Sequence, residues 1–422
     1  MLDRTKAPDF GAIRYEHFQE AEEGILPSNI PIYSLKSGEQ KVVRLELKLN
    51  CGSWYEPQKA VSWFTAKMLL EGCESKDSNE ISKGFEALGA FIDIEPGFDQ
   101  VSISVYGMRR NFIEALKLLV EILNTPTFPE LELTRLQEIR ANEIKVNDSK
   151  SNMLASKKLR GAIYGMDHPY GKALNEADIR TINISDLESF YNTSFFNQPK
   201  IFISGDFDQE IIAWIDGYFI VPIKTEKEVQ LSPSISSIKN TLVEKKGSLQ
   251  SSIRLGWHCP TIGTADYFDF LISTTLLGGY FGSRLMKNIR EDKGYTYGIN
   301  AYPVHLKQRS FCIIGADVKA ENTQATLDEI WKEINRIIDK PTSQEEINMV
   351  LNYMAGKFQS SLSTPLKLMD KFKKIHSAGL GYDYYENFFD ALQEFSPSKL
   401  QNAISKQFVA TEMHQVIVGQ LN

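Results

Sequence analysis

The chain has 422 residues, 42% hydrophobic and 24% charged, with 47 Lys and Arg against 54 Asp and Glu and a net charge of −7. That length exceeds one ordinary core and calls for two or more domains. The acidic balance argues against nucleic acid as a partner, since phosphate binding needs a basic patch. No run approaches the ~18 apolar residues that mark a membrane span, so no membrane association is expected.

The first ten residues, Met1 to Phe10, hold neither an apolar stretch nor a small-residue cleavage site. No leader is therefore expected, which places the chain in the cytoplasm, with the periplasm left open. Cys51, Cys73, Cys259 and Cys312 lie far apart without a C-x-x-C, as thiols kept reduced do. Ile30 to Leu35 and Val42 to Leu49 flank a Lys36-Ser37-Gly38-Glu39 turn and read as a hairpin. Gly52-Ser53-Trp54-Tyr55-Glu56-Pro57 then precedes a helix containing Trp63-Phe64-Thr65-Ala66-Lys67. Val101 to Val105 alternates as a strand does, and Leu116, Leu119, Val120 and Leu123 share one face of the next helix. Thr125 to Glu130 leads into a long charged helix that carries Glu143. His168-Pro169-Tyr170-Gly171 is a turn fixed by Pro and Gly, with His168 structural. Ser185-Asp186-Leu187, Phe195 and the β segment Ile201 to Gly205 close this half. Lys224 to Ser252 is polar and rich in Ser and Lys, with Pro233 in its middle, and reads as a linker entering the second half.

Leu276-Leu277-Gly278-Gly279 and Gly282 read as the opening of a helix that carries Arg290, with Gly294 ending it and Tyr297 in the incoming strand. No Gly-Lys-Ser/Thr follows, which excludes a phosphate loop. Phe311 to Gly315 and a helix with Leu327, Ile330, Trp331, Ile334 and Ile338 repeat the first half's strand and helix. Lys340 to Glu345 then repeats the step into a long helix. Lys371-Phe372-Lys373-Lys374 reads as a solvated helix face. Ser398-Lys399-Leu400 precedes Phe408 at the spacing of Ser185-Asp186-Leu187 to Phe195, and Val416 to Gly419 mirrors Ile201 to Gly205. Four matches in one order point to internal duplication. The expected class is α+β: two homologous domains, each a mostly antiparallel sheet packed with helices, facing each other across a cleft. The expected boundaries are 1–223, a linker over 224–252, and 253–422.

A duplicated chain of this length, with an Arg and a Tyr seven residues apart after a Gly-Gly pair, resembles the pitrilysin family of zinc peptidases. That family includes insulin-degrading enzyme and mitochondrial processing peptidase. The resemblance covers nearly the whole chain, and Gly52 to Pro57 and His168 to Gly171 match recurrent stretches of it. It implies a metal site of His-x-x-Glu-His on one helix, with a third ligand, a Glu, on a later helix. The two histidines one turn apart suit tetrahedral zinc, and the Glu between them activates water. On this chain Trp63 falls at the first His, Ala66 at the Glu, Lys67 at the second His, and Glu143 near the third ligand. The six histidines, His17, His168, His258, His305, His376 and His414, offer no pair at i, i+4. No metal is therefore expected in this chain. Lys67 has two readings: a solvated residue, or an ammonium reaching towards Glu143 in zinc's place. Trp63 and Phe64 read as core or cleft filling.

Arg290 and Tyr297 match the family's Arg/Tyr pair in spacing. Taken singly, the first reads as a cation suited to a helix C-terminus and the second as a half-buried strand aromatic. The resemblance implies more: a guanidinium and a phenol that stabilise negative charge growing on an attacked peptide carbonyl, each such donor worth ~3–4 kcal/mol. It further implies the non-zinc subunit of a heterodimeric metallopeptidase, inactive alone. A homologous partner bearing His-x-x-Glu-His would hold the zinc and hydrolyse a peptide substrate bound extended on a sheet edge. A homodimer in isolation stays open. The alternative is a structural or peptide-binding homologue without a protease role, like respiratory-complex core subunits. A self-sufficient peptidase lacks support, because no His pair, Gly-x-Ser-x-Gly turn or suitably placed Cys is present.

Overall fold

The computed structural model describes residues 11, 13–224 and 239–420. The leader reading of residues 1–10 and residues 225–238 of the linker, Pro233 included, lie outside the described residues. The chain divides into two compact units. The N-terminal unit comprises 19–237 and 364–372; the C-terminal unit comprises 1–18, 238–363 and 373–422.

In the N-terminal unit the elements run β1 (Glu22–Ile25), β2 (Pro31–Lys36), β3 (Val42–Leu49), α1 (Val61–Met68), β4 (Gly72–Cys73), β5 (Lys76–Asp77), α2 (Ser78–Leu88), β6 (Phe91–Pro96), β7 (Val101–Met108), α3 (Phe112–Asn124), α4 (Glu130–Ser149), α5 (Ser151–Tyr164), α6 (Glu176–Arg180), α7 (Ile184–Phe190), β8 (Lys200–Gly205) and α8 (Gln209–Tyr218). The main sheet has the order β1-β2-β8-β3-β7-β6, antiparallel except where β2 meets β8. Alternation along β3 and β7 sends Leu45, Leu47, Ile103 and Val105 into a core completed by Leu116, Leu119 and Leu123 of α3, all without exposed surface.

The hairpin read between Ile30 and Leu49 does not form. β8 lies between the two strands, pairing Ile32 with Ile201 on one side and Leu45 with Ile203 on the other. Residues 201–205 are all buried, so this apolar strand takes a central place with both edges bonded. Gly205 makes the insertion possible at the turn. Its φ is +116°, and a Cβ there would stand 2.2 Å from the Val42 carbonyl oxygen.

The C-terminal unit runs β9 (Asn240–Glu244), β10 (Gln250–His258), α9 (Tyr267–Thr274), β11 (Thr296–Val304), β12 (Phe311–Lys319), α10 (Thr323–Asp339), α11 (Gln344–Ser360), α12 (Pro365–Ser377, begun in the N-terminal unit), α13 (Asp383–Glu394), α14 (Pro397–Gln407) and β13 (His414–Gly419). Its sheet order is β11-β12-β10-β13-β9, with only β9 and β13 parallel. This is the order β6-β7-β3-β8-β2 over again, including the one parallel contact. The duplication thus extends to strand topology. β9 falls within the stretch read as linker, yet it is a sheet strand. The Lys371–Lys374 run is solvated only in part: Lys374 is exposed and Lys371 half-buried, but Lys373 is 9% exposed and Phe372 is 4% exposed.

Candidate functional site

Helix α1 is buried nearly all round, through Val61, Ser62, Phe64, Thr65, Ala66 and Met68. Its N-terminus is held by Glu56, whose carboxylate accepts from the backbone N–H of Ala60 and Ser62. The three residues at the resemblance's metal positions offer no metal donor. Ala66 is a buried methyl. The Lys67 ammonium donates to the Ile94 carbonyl of β6. The half-buried Trp63 indole carries the Arg140 guanidinium of α4, 4.6 Å above its ring. Arg140 in turn donates to Glu143 at 2.9 Å, one helical turn away. Lys67 and Glu143 are thus each engaged elsewhere, and the pairing between them does not occur. Among the described residues no group of three His, Cys, Asp or Glu could hold a metal ion. The position is filled by a cation stacked on an aromatic ring, and zinc does not fit this donor set.

Arg140 is the residue the sequence reading missed. Its signal was slight: an i, i+3 partner for Glu143 on a helix with charge all round. His168 accepts from the Tyr170 N–H through Nδ1 and stacks on Tyr164 with ring centroids 5.2 Å apart.

The second candidate lies wholly in the C-terminal unit. Helix α9 continues as a π-helical turn over residues 275–279, so Gly278 and Gly279 close this helix and do not open the next. A Cβ on Gly278 would meet the Ala301 nitrogen at 2.8 Å, which is why β11 can pass so near. A second π-helical segment, Met286–Asp292, carries Arg290. Asn288 ties it down by donating to Glu329 at 2.8 Å and Glu333 at 2.7 Å. Those bonds, with Lys332, hold the Glu329 carboxyl below the usual carboxylate range. Short π-helical insertions recur at functional sites because they displace one side chain from the regular helical face.

Arg290 places its guanidinium 4.5 Å over the Phe281 ring, itself 64% exposed, and its nearest carboxylate is Glu291 at 3.9 Å. Tyr297 sits in a β-bulge, where the ladder between β11 and β12 slips between Thr296 and Ile299. The Thr296 hydroxyl locks the bulge: its single proton is shared between the Gly298 and Asp317 carbonyls, and its oxygen accepts from the Gly298 N–H. A bulge on an edge strand re-aims the side chain it carries. Tyr297 is 95% exposed and is not the half-buried strand aromatic that its neighbours in sequence suggest. No hydrogen bond joins Arg290 to Tyr297.

A family model described as insulinase (peptidase family M16) matches residues 32–176, and one described as the peptidase M16 inactive domain matches 181–354. The chain belongs to peptidase family M16. It is 22% identical over 339 residues to an uncharacterized zinc protease YmxG of Bacillus subtilis, covering 78% of this chain and 81% of that one. It is 19% identical over 359 residues to the non-peptidase homolog YmxG of Helicobacter pylori, covering 84% and 83%. It is 26% identical over 235 residues to mitochondrial-processing peptidase subunit alpha-1 of Dictyostelium discoideum, covering 54% of this chain but 35% of that protein. Among solved structures, a peptidase M16 inactive domain from Pseudomonas fluorescens matches with a TM-score of 0.86 at 23% identity, over 96% of this chain and 99% of that one. A chain of complex III2 from Candida albicans matches at 0.75 and 12% identity, over 94% and 95%. At these identities the structural likeness is one of fold. The chain is an M16 homologue of the inactive type. No helix among its described residues is long and apolar enough to cross a membrane.

Proposed function

We propose that this chain is the zinc-free subunit of a two-chain peptidase, lending Arg290 and Tyr297 to the active site of a homologous zinc-bearing partner. The observation that carries this reading is the presentation of Tyr297. A bulge held by the Thr296 hydroxyl exposes the Tyr297 phenol to 95%, well beyond the 49% of Tyr302 farther along the same edge strand, where Ile299 and Ala301 are buried. Such an arrangement serves a group that acts outside its own chain. Arg290, parked over Phe281, is the second donor.

The chemistry follows from charge. When a metal-activated water attacks a peptide carbonyl, the oxygen becomes negative, and a preorganised phenol and guanidinium stabilise it more in the transition state than in the substrate. β6 and β11 occupy equivalent edges of the two sheets, each with one side unpaired in its own sheet. Either edge offers backbone groups to an extended peptide, which gives loose sequence preference. The Helicobacter relative's designation as a non-peptidase homologue favours a second reading, a structural or peptide-binding role without proteolysis.

Mixing separates the two. The tagged chain is to be captured from its native extract with whatever homologue bears His-x-x-Glu-His, and the two purified separately. Peptide hydrolysis is expected only in the mixture, saturating at one partner per chain, with stoichiometric zinc in the partner alone. A fully active partner that gains nothing from this chain would move the weight to the structural reading.

A further inference from the structure

The N-terminal unit holds a cavity of about 350 Å³ at the N-terminal end of α1, walled by α4, α5 and the residues after β6. That lies near the lower end of the ~300–1,000 Å³ typical of small-molecule sites. Its apolar walls include Trp63, Phe98, Met153 and Leu174. Its cations outnumber its carboxylates, and most are already matched within the chain. Lys59 pairs with Asp178 at 3.3 Å, Lys157 with Asp148 at 2.9 Å, and Arg140 with Glu143 at 2.9 Å. Lys172 faces Glu56. Arg160 is the exception: among the described residues it has no ion pair. Its guanidinium lies 5.6 Å from the Phe98 ring centroid, and its Nε is buried without an acceptor, as is the Nε of Arg140. Buried charged donors ordinarily have acceptors.

We propose that this cavity binds a carboxylate attached to an apolar group, with Arg160 as its counter-ion and the Trp63 and Phe98 rings as its walls. One unmatched guanidinium suits a singly charged anion better than a phosphate, and its planar fork matches a carboxylate. A peptide's C-terminal residue and a free apolar acid share this chemistry. The site needs no partner subunit and stands apart from the reading of Arg290 and Tyr297.

Glu56 adds a proton to the binding. Burial raises its pKa to about 7, against the opposing pull of the Ala60 and Ser62 N–H groups and of Lys172 and Lys59. The other charged groups lining the cavity are Arg140, Asp148, Lys157 and Arg160. An incoming carboxylate favours neutral Glu56, so binding near neutrality takes up a proton, and affinity rises as pH falls from 8 to 6.

Calorimetric titration of the full chain tests this with three probes: an acetylated Ala-Ala-Ala-Phe peptide with a free carboxylate, its C-terminal amide, and N-acetylphenylalanine. The free acid is expected to bind at one site per chain, and the amide at least tenfold more weakly. Arg160→Met should weaken the acid at least tenfold, Arg160→Lys should restore part of it, and Glu56→Gln should remove the pH dependence. A peptide that binds more tightly than N-acetylphenylalanine supports a chain end as occupant; equal affinities support a free acid. Acid and amide binding alike, a well-folded Arg160→Met binding as the parent does, or no heat from either acid at millimolar concentration would overturn the site. Should Arg160→Met fail the check of fold by circular dichroism, the acid–amide pair on the parent chain decides alone.

Discussion

The two units share one strand order but present their side chains in opposite ways. In the N-terminal unit the helix after the central strand turns its chemistry inward. Trp63 lies under Arg140, Arg140 is held by Glu143, Lys67 is spent on the Ile94 carbonyl, and Ala66 is sealed in the core. In the C-terminal unit one π-helical segment and a β-bulge present side chains outward, leaving Arg290 over an exposed Phe281 and Tyr297 at 95% exposure. Duplication fixed the scaffold, and the divergence lies in side chains and in local departures from regular geometry.

The largest expected effect is on catalysis by the mixture. Arg290→Ala or Tyr297→Phe should lower hydrolysis by about a hundred- to a thousandfold, the range for loss of one transition-state donor. Neither change should move the unfolding midpoint appreciably, because Tyr297 is exposed and Arg290 is about one-third exposed. Lys67→Met, in the inward-facing unit, should leave the rate within about twofold. Equal losses from both units would break the contrast.

A mid-sized effect belongs to Glu56. Its folded-state pKa is raised from the ordinary 4.5 to about 7, with burial the first cause. The folded chain therefore keeps this proton at pH values where the unfolded chain has released it. Its contribution favours folding fully below about pH 4.5, declines as pH rises towards 7, and is lost above. The rise corresponds to at most ~3 kcal/mol, at ~1.4 kcal/mol per pH unit. Urea unfolding at pH 5 and pH 8 should show that decline in the parent chain and a flatter profile in Glu56→Gln. An unchanged profile in the variant would mean that Glu56 titrates normally.

Much of this organisation was legible in the sequence because the repeated signals were local. Period-2 alternation marked β7, the apolar run Phe311 to Gly315 marked β12, and the stripe of Leu116, Leu119 and Leu123 marked α3. The absence of histidines at one-turn spacing needed no structure at all. What escaped was non-local or irregular. The strand that separates β2 from β3 is supplied from Lys200–Gly205, far along the chain, so the adjacent segments looked like a hairpin. Gly278 and Gly279 were assigned to the wrong end of a helix because a π-helical turn carries no periodicity signature. The burial of Lys373 was hidden by a run of like charges that normally faces water. The stacking of Arg140 on Trp63 joins residues far apart on two helices, each unremarkable by its own pattern.

The smallest effect is the most pointed test of the inward-facing unit. By position Glu143 stands near the third metal ligand that the family resemblance implies, and a ligand's loss would abolish metal binding and unsettle the fold. In the structure Glu143 is a side chain 48% exposed, paired across one helical turn with Arg140 at 26% exposure. Pairs of that kind contribute only about 0.3–0.5 kcal/mol, and the guanidinium keeps its place over Trp63 through a ring contact worth about as much again. Glu143→Gln should therefore shift the free energy of unfolding by no more than ~0.5 kcal/mol and leave the zinc content of the purified chain unchanged. A loss of 2 kcal/mol or more, or bound zinc that disappears with the substitution, would show that the N-terminal unit still runs on its ancestral site. Agreement would show that Glu143 now serves only to steady an arginine where a metal ion has no ligands left.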